Sequence, residues 1–333
     1  MKLTMLGTGN ALVTKIYNTC FVLEDNHQYF MVDAGGGNQI LTQLKKAGYD
    51  WKDMKHIFLT HKHIDHLLGM VWMMRMITQF MNAGKYEGDA YIYGHDEVIH
   101  ILKDMADTLL VPKQSALIGK RLHLVEVKDQ ETKEIMGHPV TFFDIHSTKA
   151  KQFGFMVEYD GKKLTCCGDE PYCEEEKVYA ENADVLLHEA FCLYEERDFR
   201  HPYEKHHSTV KDACELAQKL HIKNLVLYHT EDDHVDNRKE LYKAEVIGYR
   251  KETVSAVRTY LRMADRTLLV KSIYLGSETP CLFIERDVYQ RIFQSLQVCT
   301  FKSLSVSYAV INVFPVRRES RKCLQMCTVG GKR

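Results

Sequence analysis

Short apolar runs bounded by Gly, Asn and Asp alternate with helical patterns along the first two-thirds of the chain. The runs that predict strands are 3–6, 19–23, 29–33, 56–60, 90–93, 122–127, 140–145, 154–159, 163–167, 185–187 and 224–227. Helical spacing predicts helices over 39–46, 67–81, 96–109 and 210–220, the last capped by Ser208 or Thr209. Many strands with interspersed helices predict an α/β fold in which sheets are covered by helices.

The pattern changes near residue 248, where the regular alternation ends. Beyond 272, basic residues outnumber acidic ones, and four of the ten cysteines lie there. The sequence therefore predicts one domain over 1–271 and a C-terminal tail of unknown role over 272–333.

Composition narrows the class of protein only slightly. The chain has 333 residues, 45% of them apolar and 27% charged, as in an ordinary globular protein. The formal net charge is −1, so there is no overall basic character of the kind that nucleic-acid binders often have.

Targeting and redox signals favour the cytoplasm. The apolar start before Gly7 is too short for a signal peptide, and Arg75 interrupts the apolar run over 67–74 well before the roughly 20 residues of a membrane span. The cysteines include no CxxC pair, and Cys166 and Cys167 point to opposite faces of a predicted strand. This usage indicates reduced thiols and predicts a cytoplasmic protein without a membrane partner.

The strongest chemical signal is the segment His-Lys-His-Ile-Asp-His at 61–66, directly after an apolar strand. Imidazole nitrogens and carboxylate oxygens are ligands of catalytic zinc. His61 and His63 alternate and would point the same way from an extended segment, while Asp65 and His66 lie in the turn that opens the next helix. The competing interpretation is a solvated loop in a chain with 17 histidines.

This segment resembles the HxHxDH motif of the metallo-β-lactamase superfamily, and the chain is most similar to its ribonuclease Z branch. The further matches, in family order, are Leu-Gly-Thr-Gly at 6–9, Asp-Ala-Gly-Gly-Gly at 33–37, Asp-Ile-His at 144–146, Cys-Gly-Asp at 167–169, Leu-His-Glu-Ala at 187–190, His-Ser-Thr at 207–209 and Leu-Tyr-His at 227–229. The resemblance covers about residues 1–250. It implies an αββα sandwich, in which two mixed sheets are flanked by helices.

The resemblance also implies the ligands of two divalent metal ions, most simply zinc, with manganese or iron as alternatives. One metal would bind His61, His63 and His146, and the other Asp65, His66 and His229, with Asp169 bridging them. Taken singly, a histidine at the end of a strand is more often a surface residue, and an aspartate after glycine is often a turn residue.

Two metals at such a site would activate a hydroxide for attack on the substrate. The resemblance implies that Asp65, Glu189 and His207 are catalytic: His207 would protonate the leaving oxygen or stabilise phosphoryl charge, and Glu189 would orient His207. The competing interpretation is that Glu189 is a surface carboxylate and that His207 merely precedes a helix cap. Asp33 is expected to support the histidine loop from behind. Lys149 and Lys151 are candidate phosphate contacts, although a solvated loop is the favoured interpretation.

The chain departs from ribonuclease Z in two places. Ribonuclease Z carries a long arm that grips transfer RNA, inserted between the matches to His146 and Glu189, yet here these residues are only 43 positions apart. Glu170 also follows the matched aspartate, where ribonuclease Z usually has threonine.

The sequence thus predicts an armless, metal-dependent hydrolase, in particular a phosphodiesterase for a small diester or a short nucleic acid. The alternatives are a hydrolase of lactones, thioesters, lactams or sulfate esters, since one metal pair serves many reactions on this fold, or a true endoribonuclease that matures transfer-RNA 3′ ends. A binding protein with an inactive site is the remaining alternative, against which the complete set of ligands argues. A homodimer is possible.

Overall fold

Two mixed β-sheets pack face to face in the computed structural model, which describes residues 1–248 and 273–274. The strands of the first sheet, in the order β13-β1-β2-β3-β4-β5-β6, are β1 (Lys2–Gly7), β2 (Cys20–Asp25), β3 (Gln28–Val32), β4 (His56–Phe58), β5 (Ala90–Gly94), β6 (Leu122–Glu126) and β13 (Ile273–Tyr274). Those of the second, in the order β12-β11-β10-β9-β8-β7, are β7 (Thr132–Ile135), β8 (His138–Asp144), β9 (Phe153–Tyr159), β10 (Lys162–Cys166), β11 (Val185–Glu189) and β12 (Asn224–Tyr228).

Helices cover the outer face of each sheet. They are α1 (Gln39–Lys46), α2 (Ile64–Asn82), α3 (Asp96–Leu109), α4 (Pro112–Ser115), α5 (Lys177–Ala180), α6 (Arg197–Arg200), α7 (Val210–Lys219) and α8 (Arg238–Gly248). The predicted αββα sandwich with two mixed sheets is confirmed.

Alternate residues of each strand enter different cores, as the two-residue period of a strand requires. Phe30 and Phe155 contact each other between the sheets, with ring centroids 5.4 Å apart. Met31, on the opposite face of β3, packs instead under α1 and α2. Cys166 and Cys167 likewise enter different cores, which confirms their predicted opposite orientation.

Two boundaries differ from prediction for local reasons. Helix α2 begins at Ile64 rather than 67, because the polar residues Asp65 and His66 form its first turn and interrupt the apolar period that predicted it. Thr209, one of two predicted caps, begins α7: its hydroxyl accepts from the Asp212 amide, and the Asp212 carboxylate accepts in return.

Strands β7 and β13 and helices α4, α5, α6 and α8 are absent from the sequence-based prediction. All but α8 have four residues or fewer, too few for a periodic pattern to show. The sequence also predicts a helical piece over 253–263 and a strand-like piece over 267–270, and both lie outside the described residues. Among the described helices, none is both long and apolar enough to cross a membrane.

The domain boundary predicted at 271 and 272 also lies outside the described residues. Ile273–Tyr274, beyond that boundary, pairs antiparallel with Lys2 and Leu3 of β1. The compact unit that begins at Met1 ends at Gly276, so we propose that the predicted domain extends to that residue.

We therefore expect a chain that ends at Gly276 to fold and to keep its metal and activity. A chain that ends at Ser272 should melt a few degrees lower, because it loses the β13 pairing, worth about 1 kcal/mol. Thermal unfolding of both truncations and the full chain measures this. Equal melting temperatures for the two truncations would show that β13 adds no stability, and insolubility of both would show that the tail buries core surface.

Candidate metal centre

The chemistry-bearing residues lie where strands of both sheets end. Asp33 follows β3, Asp169 follows β10 and His229 follows β12. Asp33 and His229 have positive φ angles, 55° and 56°, a conformation that is uncommon for residues other than glycine and that concentrates at functional sites. Ligands of α/β proteins bind at such strand ends.

Two groups of side chains at this edge could each hold a metal ion. His61, His63 and Asp169 form the first, and Asp65, His66 and His229 form the second. Within each group the candidate ligand atoms all lie within 4.8 Å of one another. Six of the seven predicted ligands are therefore brought together.

Asp169 faces both groups. Its Oδ2 lies 3.5 Å from His61 Nε2, 3.6 Å from His66 Nε2 and 3.3 Å from His229 Nε2. Asp65 Oδ2 lies 3.4 Å from His66 Nε2 and 3.5 Å from His229 Nε2. Asp169 thus has the position that a bridging carboxylate would need.

Buried polar atoms without hydrogen-bond partners converge here. Among the described residues they include Asp65 Oδ2, His66 Nε2, Asp169 Oδ1 and His229 Nε2. Leaving such atoms unsatisfied costs about 1–3 kcal/mol each, so buried polar groups are nearly always paired. Imidazole and carboxylate donors in this arrangement fit a divalent metal ion.

The histidine tautomers suit metal binding. The Thr60 hydroxyl donates to Asp33 and can accept from the Nδ1–H of His61, 2.9 Å away. His66 Nδ1 lies 2.7 Å from Asp33 Oδ2 and donates to it. With the proton on each Nδ1, each Nε2 could present a lone pair to a metal ion. Burial opposes a second proton on His66, but Asp65 and Asp33 raise the pKa of His66 well above its ordinary value, so a metal ion would displace the proton from Nε2. The predicted supporting role of Asp33 is confirmed.

The electrostatics keep both carboxylates ionised. Burial alone would raise the pKa of Asp65, but His66 and His229 beside it bring that pKa well below its ordinary value. Burial likewise opposes ionisation of Asp169, and His61 and His229 overcome it, so its pKa is also low. Both side chains are therefore in the form that binds metal at neutral pH.

The imidazole of His61, in contrast to these carboxylates, is uncharged. Burial lowers the pKa of His61 well below its ordinary value, although Asp169 opposes the shift. His63, half-buried, has its pKa lowered by the same cause. Neutral imidazoles are the form that coordinates metal.

His146 is the one predicted ligand that the structure does not bring into these groups. It is exposed, at a φ of 56°, and its amide donates to the Asp144 carboxylate. Its metal-binding role stays a prediction.

Glu189 and His207 lie beside the second group. Their candidate ligand atoms and that of His229 are within 4.8 Å of one another. His207 Nδ1 is 3.5 Å from Glu189 Oε2, and the Ser208 amide donates to the other carboxylate oxygen. Phe191 stacks on the His207 ring at 5.0 Å, with the planes only 4° apart. The Ser208 amide thus fixes the Glu189 carboxylate, and the Phe191 ring fixes the His207 imidazole.

Sequence reasoning missed several residues of the site. Thr60 adjoins the histidine motif and could have been suspected as a polar residue ending an apolar strand. Phe191 carries no such signal, because an aromatic residue after a buried strand usually belongs to a core. The contact of Lys149 with His207, at 3.4 Å between Nζ and Nε2, depends on a meeting of loops 58 positions apart.

The fold and the site together define a class of protein. The human short-form tRNase Z has a similar structure, with a TM-score of 0.58 and 22% identity over 71% of this chain and 94% of its own. YhfI of Bacillus subtilis, a metallo-β-lactamase fold protein, has a TM-score of 0.60 and 18% identity over 77% of this chain and 94% of its own. These likenesses show that the chain has the metallo-β-lactamase fold.

The family is more specific. The model of the anti-Pycsar protein Apyc1 family matches residues 1–252, and the chain belongs to this family. It is also 25% identical over 295 aligned residues to ribonuclease Z of Thermococcus onnurineus, covering 72% of this chain and 90% of that protein.

Proposed function

We propose that this chain is a phosphodiesterase that hydrolyses small diesters with two bound divalent metal ions, zinc first among them. The observation that carries the proposal is the Glu189–His207 pair next to the metal groups. Hydrolysis of a diester needs a proton for the leaving oxygen as well as an activated water, and this pair can supply the proton.

In this proposal His61, His63 and Asp169 hold one metal, and Asp65, His66 and His229 the other. Bound divalent metals supply Lewis acidity, which lowers the pKa of water to about 7 and offsets phosphoryl charge. The two separate groups of candidate ligands, with buried unpaired atoms on Asp169 in the first and on Asp65, His66 and His229 in the second, support two ions rather than one.

His207 is the proposed general acid. Glu189 faces Nδ1 and favours the proton there, so that Nε2 is the nitrogen that exchanges a proton with substrate. Stacking on Phe191 fixes the plane of the ring. The 3.5 Å separation from Glu189 is long for a hydrogen bond, and catalytic contacts of this kind often tighten only when substrate binds.

The described residues offer no long arm for a polynucleotide. The segment between His146 and Glu189 consists of β9, β10, one turn at Glu174–Glu176 and α5. These elements take up most of the segment, which supports a site that grips its substrate without an arm. A small substrate needs only a local site.

An open apolar groove of about 370 Å³ lies along α2, the helix whose first turn carries Asp65 and His66. Leu68, Val71 and Trp72 of α2 line one side of it, and Gly36 forms its rim. A side chain on Gly36 would lie 3.8 Å from the Asp65 Cα, which shows how near the rim is to the ligands. The volume is in the range of small-molecule sites and suits the organic part of a diester.

The relatives do not fix the substrate, since they are named for an anti-Pycsar activity and for ribonuclease Z. We expect the full chain to hydrolyse a cyclic diester and bis(p-nitrophenyl) phosphate with a higher kcat/KM than precursor transfer RNA at about 0.15 M salt. With no arm in the described segment and no overall excess of basic residues in the chain, few backbone phosphates should be neutralised, and that binding weakens steeply with salt. A lactam and a thioester, assayed beside them, should be turned over more slowly than either diester.

His61→Ala, purified in parallel, is the control for contaminating nucleases. Efficient, site-specific removal of the RNA 3′ trailer would contradict the small-substrate proposal and move the function to transfer-RNA maturation. Faster hydrolysis of the lactam or thioester would contradict phosphodiester specificity itself. Because a dimer could grip RNA through both subunits, the oligomeric state is measured alongside.

A further inference from the structure

The loop that follows β8 reaches across the site to the loop that carries His207. Thr148 Oγ1 lies 2.9 Å from His206 Nδ1. Lys149 Nζ donates to the carbonyl oxygen of Lys205 at 3.2 Å. These contacts, between residues 56 to 58 positions apart, bring a lysine side chain to the catalytic histidine.

Lys149 Nζ lies 3.4 Å from His207 Nε2, the nitrogen that exchanges a proton in the proposed reaction. The lysine side chain is about three-quarters buried, with 26% relative exposure, so its position is defined by its surroundings rather than by solvent. When Nε2 carries a proton, both nitrogens are donors and cannot satisfy each other. An acceptor oxygen with negative charge would satisfy both.

Glu170 holds this loop in place. Its carboxylate accepts from the Ser147 hydroxyl at 2.7 Å, from the Thr148 amide at 3.0 Å and from the Lys149 amide at 3.3 Å. The same carboxylate lies 3.9 Å from Lys149 Nζ. Glu170 is buried and directly follows Asp169, so it ties the lysine loop to the metal centre.

We propose that Lys149 binds a phosphoryl oxygen of the substrate together with His207, and that Glu170 positions Lys149 for this contact. The inference rests on the proposed function, whose substrate class it deepens. An ammonium group is a strong donor to phosphate, and a site without an arm needs such a local anion contact. Taken as whole residues, Thr148 and Lys149 are exposed, as the solvated-loop interpretation predicts, but the Lys149 ammonium is held against Lys205 and His207.

Lys151 provides a matched control two positions away. It has similar exposure, 33%, but its Nζ is paired with Asp96 Oδ1 at 2.6 Å. It has no contact of its own with His207 among those described. Removing its charge changes the net charge of the protein as much as removing that of Lys149, so a comparison isolates position from charge.

The test is the binding of inorganic phosphate to the metal-loaded full chain, measured by titration calorimetry. Lys149→Gln should raise the Kd for phosphate about 10- to 100-fold, the usual effect of losing a charged hydrogen bond. Lys149→Arg should recover part of the affinity, and Lys151→Gln should stay within about twofold of the unaltered protein, all with unchanged metal content. Unchanged affinity in Lys149→Gln, or equal losses in Lys149→Gln and Lys151→Gln, would overturn the proposal.

The role of Glu170 needs a readout that a purely structural role would not move. Glu170→Gln should raise KM for bis(p-nitrophenyl) phosphate more than it lowers kcat, and its effect should largely vanish in a Lys149→Gln background. Additive effects would show that Glu170 does not act through Lys149.

The phosphate-binding test of Lys149 does not depend on turnover. Phosphate binding that requires Lys149, in a chain that hydrolyses no diester, would contradict the proposed function and leave this inference standing. Diester hydrolysis by a chain whose phosphate affinity is the same with and without the Lys149 side chain would support the proposed function and contradict this inference.

Discussion

His61→Ala and Asp169→Ala are expected to lower metal content below the approximately two ions per chain of the unaltered protein and to reduce diester hydrolysis about 10⁴-fold or more. His61 is buried and belongs to the first metal group, while Asp169 lies within 3.6 Å of histidines from both groups. Asp169→Ala should therefore lose more metal than His61→Ala. Inductively coupled plasma mass spectrometry on the purified proteins measures the ions directly, independently of activity.

His100→Ala is the matched control, because His100 lies exposed on α3, 3.4 Å from Asp104, and belongs to none of the candidate metal groups found among the described residues. It should retain both metals and full activity. Chelation of the unaltered chain should abolish activity and added metal should restore it. Full activity in a metal-free preparation would refute the proposed mechanism as a whole.

His146→Ala, measured in the same series, decides the role predicted for that residue. A loss of metal like that of His61→Ala would make it a ligand, despite its exposed position. Metal content like that of His100→Ala would remove it from the site.

Much of the fold could be predicted because its strands are short apolar runs with clear turn residues between them. The site was predictable to the extent that its residues fall in ordered motifs at strand ends. His61 and His66 belong to one contiguous segment, and Asp169 and His229 each lie shortly after the end of a predicted apolar strand.

The sequence does not indicate which loops contact each other when they are far apart along the chain. Lys149 and Glu170 are brought to His207 by the turns after three different strands, and no local period or spacing encodes such a contact. The short helices were missed for a related reason, since four residues contain little more than one helical turn. In the sequence, Glu170 stands out only as a departure from ribonuclease Z. In the structure, its carboxylate accepts hydrogen bonds from Ser147 and Thr148 and so fixes the loop that carries Lys149.

Glu189→Gln and His207→Ala are expected to keep both metals and to lose about 10²–10⁴-fold in kcat, the usual contribution of general acid–base catalysis. Neither side chain belongs to the proposed ligand sets, yet both lie within 4.8 Å of a His229 ring nitrogen. The loss should depend on the leaving group: a diester with a good leaving group, such as p-nitrophenolate, needs little protonation and should be affected least. An alkyl diester should be affected most.

That dependence separates an acid from a structural residue. A misfolded or metal-depleted variant would lose activity on all diesters to the same degree, whereas loss of the acid alone steepens the dependence of rate on leaving-group pKa. Phe191→Leu, which removes the stacked ring but no proton donor, gives the intermediate case and should lose less than His207→Ala. Loss of metal from Glu189→Gln or His207→Ala would instead place these side chains among the ligands, as their grouping with His229 also permits.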